Sequence, residues 1–82
     1  IIGEDPANTQ ARLGRARLYE SFGAACDAQA AVDRDGRAPA LRRDASEWYA
    51  KSEGDYLLLR ERGALGARGE TELAEVRKKI AR

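Results

Sequence analysis

Apolar residues in this chain recur at intervals of three and four, and no stretch alternates apolar with polar over the length of a strand. The spacing predicts three helices. The first, over about 6–32, carries two neighbouring stripes. One is Leu18, Phe22, Ala25, Gln29 and Val32; the other is Tyr19, Gly23, Cys26 and Ala30. Small residues beside large ones let helices approach closely. The second helix, over about 39–62, places Ala45, Trp48, Tyr49, Ser52, Tyr56 and Leu59 on one face. Aromatic residues at this spacing are expected in a core. Leu57, Leu58 and Leu59 follow one another, so they point about 100° apart and cannot all meet one partner helix. The third helix, over about 67–81, has Leu73, Val76 and Ile80 as its apolar line. The expected fold is all-α: an antiparallel helix hairpin closed by a third helix, in a single domain over 1–82.

The residues between these stretches agree with their boundaries. Asp5-Pro6 reads as a helix start, since aspartate caps and proline loses nothing at the first helical position. Asp33-Arg34-Asp35-Gly36 is a turn signal, and Pro39 marks a second start. Gly63 is a natural C-cap, with Gly66 ending the loop after it. Gly14 and Gly23 lie inside the first helix, where glycine costs about 1 kcal/mol against alanine. Each therefore calls for a packing reason.

Composition narrows the function more by exclusion than by indication. The 82 residues carry one cysteine and no histidine, so no internal disulfide forms and a four-ligand zinc site has no ligands. Cys26 sits among alanines and reads as a small apolar core residue. Fifteen basic and fourteen acidic residues give a net charge of +1, interspersed as on solvated helix faces. The one basic cluster, Arg77, Lys78, Lys79 and Arg82, also complements the end of a helix dipole. Nucleic-acid binding through it is the weakest of the readings considered. No apolar run approaches a membrane span and no signal peptide is visible, so a cytoplasmic location is expected. The start at Ile1-Ile2 and the absence of methionine point to a piece of a longer protein. The excess of arginine over lysine and the many alanines fit a GC-rich bacterial source.

Catalysis has little to draw on. There is no histidine base, nucleophile elbow, P-loop or dinucleotide fingerprint. Asp33 and Asp35 flank a turn, but the ligand spacing of a calcium loop and its closing glutamate are missing. No enzyme activity, cofactor or metal is expected.

The motifs resemble those of the tetratricopeptide repeat family, in particular the last repeat of arrays that follow kinase or cyclase domains in bacterial multidomain signalling proteins. Asp5-Pro6-Ala7-Asn8 is similar to the segment joining successive repeats. Phe22-Gly23 resembles the large-apolar-then-glycine pair of a repeat's first helix, with Cys26 at its next packing aromatic. Ala45, Tyr49 and Ser52 resemble the small, aromatic, small triad of the second helix. The final segment looks like the ending of such arrays, where the last helix acts as a cap. The interval from Gly23 to Ala45 is about ten residues longer than a regular repeat allows, so either the helices are extended or the hairpin loop is enlarged.

The resemblance implies a scaffold module that binds a protein or peptide. Its candidate groove residues are Arg17, Glu20, Ala24, Asp27 and Ala28. The alternative is a structural cap or homo-oligomerisation domain with no ligand of its own. In that case Ile1, Ile2, Leu57 and Leu58 form an association surface.

Overall fold

The computed structural model describes residues 6–81. Ile1, Ile2, Asp5 and Arg82, given roles above from the sequence, lie outside them. Helix α1 spans Pro6–Val32, α2 spans Ala38–Glu61 and α3 spans Gly66–Ile80. The described residues contain no strand, and α1 and α2 form an antiparallel hairpin against which α3 packs on the α2 side. The whole is elongated, 53 by 20 by 15 Å. Among the described residues no helix is long and apolar enough to cross a membrane.

The long Gly23–Ala45 interval is absorbed by helix rather than by loop. The connection between α1 and α2 is only residues 33–37. Asp33 closes it: its Oδ2 accepts the Arg37 N–H at 2.7 Å, the side chain standing in for a backbone turn partner. Gly36 supplies the positive φ of +80° that the turn requires. At the other end of α2, Gly63 adopts φ +72°. The Ala64 N–H donates to the Leu59 carbonyl at 2.9 Å and the Gly63 N–H to the Arg60 carbonyl at 3.0 Å. These are the two bonds of a Schellman cap, which satisfy carbonyls the helix leaves unpaired.

The core joins Ala16, Ala45, Tyr49, Tyr56, Leu59, Leu65, Leu73 and Val76, with Leu13, Cys26, Leu57, Ala64 and Ile80 packed at its edge. Helix α1 therefore meets its neighbours through small residues. Gly23 explains why. A Cβ placed on it would lie 2.6 Å from the Tyr49 ring, so the aromatic ring occupies the space a side chain would need. The small stripe turns inward, and the large stripe does not follow. Leu18 and Phe22 stay 50% and 41% exposed and Val32 75%. Of the aromatic cluster, Tyr49 and Tyr56 are buried as expected, while Trp48 is only half-buried. Its ring packs against Tyr19 and Phe22, with centroids at 5.7 and 4.8 Å.

Candidate interaction surface

The buried polar groups of the hairpin serve the fold. Asp55, 6% exposed, accepts from Arg15 through both its oxygens, at 2.9 and 2.7 Å, and from Arg12 at 3.3 Å. The hydrogen bond and charge of Asp55 raise the Arg15 pKa above its ordinary value. The Ser52 hydroxyl donates to the Ala16 carbonyl at 2.7 Å across the hairpin. Tyr56 donates to Glu72 Oε2 at 3.3 Å. Burial, and then the nearby charges of Glu72 and Glu20, push the Tyr56 phenol well above its usual range.

Three of the five candidate groove residues are engaged within the chain. Arg17 Nε lies 3.2 Å from both Glu72 oxygens. Glu20 accepts from Lys79 at 2.9 Å, and Asp27 accepts from the Tyr49 hydroxyl at 3.0 Å. The Arg17 and Glu20 pairs tie α1 to α3, which otherwise packs mainly on α2. Ala24 and Ala28 are exposed. Leu57 and Leu58 are half-buried, with Leu57 packed against the core, while Leu59 is fully buried. The leucine run is thus divided between neighbours, as its 100° steps require.

The basic end of α3 is also occupied. Arg77 pairs with Glu53 at 3.0 Å, Lys78 with Glu75 at 3.5 Å and Lys79 with Glu20. A hollow at the start of α1, lined by Asn8, Ala11, Arg12, Arg15 and Arg62, is open and polar, and two of its arginines are held by Asp55. Among the described residues no group of three or more potential metal ligands comes together.

One face stands apart from this paired surface. Among the described side chains of α1, the most exposed charges are Arg15 and Arg17, bound to Asp55 and Glu72. From Leu18 to Val32 the exposed positions are Leu18, Ser21, Phe22, Ala24, Ala25, Ala28, Gln29, Ala31 and Val32, without a charge among them. The helices on the other side show the opposite pattern. Exposed α2 residues include Arg42, Arg43, Asp44, Glu47 and Lys51, and exposed α3 residues include Arg68, Glu70, Glu75, Arg77 and Lys78. In a chain with 35% charged residues, a helix with an almost charge-free outer face is an exception. Lys51 stands over the Trp48 ring, 4.8 Å from its centroid, at the margin of this face.

Sequence reasoning identified the large stripe but not its direction. The available signal was that Glu20 and Asp27 are the only charges between Leu18 and Val32, and both lie off the stripe. Comparison with protein-family models, with curated proteins and with solved structures found no match. The functional reading therefore rests on this face and its chemistry.

Proposed function

We propose that the chain is a helical protein–protein interaction module, similar in role to the terminal repeat of a tetratricopeptide array in a bacterial signalling protein, and that it makes contact through the outer face of α1. The observation that carries this reading is the exposure of Leu18, Phe22 and Val32 on one charge-free helix face. Apolar surface of this kind, edged by an aromatic ring and by charged neighbours, has the anatomy of an interface core with its rim. Leu18, Phe22 and Trp48 are the anchors, and Ala25 between them lets a partner helix approach closely. The contact runs beside Arg17, Glu20 and Asp27 rather than through them, because their charges are spent inside the chain.

Site-specific photo-crosslinking in the producing cell tests this. A photoactivatable residue at Ala25 or Val32 is expected to give a discrete protein adduct, and one at Ala50 or Ala74, exposed on α2 and α3, none. Equal adducts at all four positions, or none at Ala25 and Val32, would contradict it.

A further inference from the structure

We infer that the α1 face takes an acidic amphipathic helix of a partner protein, its apolar side on Leu18, Phe22 and Trp48 and its carboxylates toward Lys51 and the arginines near the start of α1. This rests on the reading of α1 as a contact face and names the chemistry of its partner. The charge bordering the apolar stripe points to that chemistry. Arg15 and Arg17, two positions apart, stand on opposite sides of α1, and only Arg17 reaches α3. On the Arg15 side, one chain of contacts joins cations to aromatic rings. The Arg15 guanidinium stands over the Tyr19 ring, 5.8 Å from its centroid. Tyr19 and Phe22 both pack against Trp48, and Lys51 stands over Trp48 in turn.

This border is positive. Arg12 and Arg15 share the single carboxylate of Asp55, so one positive charge of that group is uncompensated. A guanidinium carries five N–H groups; Arg12 gives Asp55 one bond and Arg15 gives it two, which leaves donors on each for a further carboxylate. Arg62 lines the same hollow, and no acidic residue lines it with them. Arg15 and Lys51 are exposed, so a partner reaches both without unpacking the core. Asp44 stands about one turn before Trp48 on α2, and Lys51 about one turn after it. The change of sign orients the partner helix, its acids toward the start of α1. A nucleic-acid strand is served less well, because Trp48 is already packed on Tyr19, Phe22 and Lys51 and offers little open ring to a base. Arg12 and Phe22 are about 15 Å apart along α1, a span covered by about three turns of helix. A contact of that length belongs to the small, transient class.

Selection of helical peptides from a randomised library on the full chain tests the inference. Trp48, the single tryptophan, reports whether a selected peptide lies on this face. The enriched peptides are expected to carry aspartate or glutamate beside an apolar stripe and to shift the Trp48 emission to shorter wavelength. Lys51→Glu should weaken their binding about tenfold, and added salt should weaken it too. Phe22→Ala should cost about tenfold or more. Should that variant unfold, Lys51→Glu still decides, since Lys51 is exposed and outside the core. Ala74→Glu, exposed on α3, should leave binding as it is. Enrichment of basic or uncharged peptides, or of none, overturns the inference, as does binding indifferent to Lys51→Glu. Displacement of the acidic peptides by single-stranded DNA or by anionic vesicles at equal concentration also overturns it. Any of these failures alongside position-specific adducts at Ala25 and Val32 leaves the contact face standing. Loss of those adducts brings down the reading beneath it, and the two failures are thereby told apart.

Discussion

A methyl group added to Gly23 and one added to Gly54 should have opposite effects. At Gly23 the new carbon meets the Tyr49 ring at 2.6 Å, and the ring is held in place by its hydrogen bond to Asp27. Gly23→Ala is expected to destabilise by about 1–3 kcal/mol, the usual cost of overpacking. At Gly54 nothing lies within 4 Å, so Gly54→Ala should stabilise by up to about 1 kcal/mol through helix propensity alone. Urea unfolding of the two variants checks both, and a gain at Gly23 would mean the ring is not where the fold has it. Ser52→Ala removes a buried donor and leaves the Ala16 carbonyl without it, for a loss of about 1–3 kcal/mol. These local demands were partly legible. Glycine inside a helix called for a packing reason, and the Ala45, Tyr49, Ser52 triad marked the inner face of α2. Trp48 was not legible. Its spacing matches a core position, yet it sits at the edge of α2 against Tyr19 and Phe22, because α1 comes too close at Gly23 for a second large ring to enter. Trp48→Ala should accordingly cost less than the about 3–5 kcal/mol of a core aromatic.

Helix order and the stops between helices follow from short-range chemistry, which is why they can be read from the chain. Asp33 and Gly36 build one turn and Gly63 caps α2, each by a bond or a dihedral that only a few residue types allow. Which side of α1 turns inward depends instead on the partner helix, and no local rule decides it. The two stripes of α1 are equally periodic, and only the bulk of Tyr49 selects the small one. The docking of α3 on the hairpin was legible from its apolar line, and Leu73 and Val76 are fully buried in the core; its ion pair to α1, Lys79 with Glu20, was beyond reach because the partners lie far apart in sequence. The hydrogen bond from Arg60 holds the Glu70 carboxyl below its ordinary 4.5. A folded-state value below the unfolded one means the pair favours folding at neutral pH. That contribution fades as acid protonates Glu70. In an NMR titration, Arg60→Gln should return the Glu70 midpoint upward toward 4.5, and an unmoved midpoint would contradict the pairing.

Taken whole, the molecule divides its surface into two kinds. Around α2 and α3 the charges are exposed or paired with one another; along α1 the outer side is apolar, small and uncharged. Apolar residues left exposed along one stripe of a helix, with the charges placed elsewhere, are what an amphipathic helix shows on the side it offers to a partner. Of the candidate groove drawn from the family resemblance, Arg17 and Glu20 join α1 to α3 and Asp27 accepts from Tyr49, while Ala24 and Ala28 are exposed beside the large stripe. The most direct measurement is the rate at which a single thiol reacts with a membrane-permeant alkylating reagent in the producing cell, set against the purified chain at low concentration. The thiol is placed at Ala25 or at Ala50, both exposed, in a Cys26→Ala background. The account predicts that the thiol at 25 is protected in the cell while the thiol at 50 reacts at the same rate in both. Equal rates in the cell and in the purified chain at both positions would contradict it.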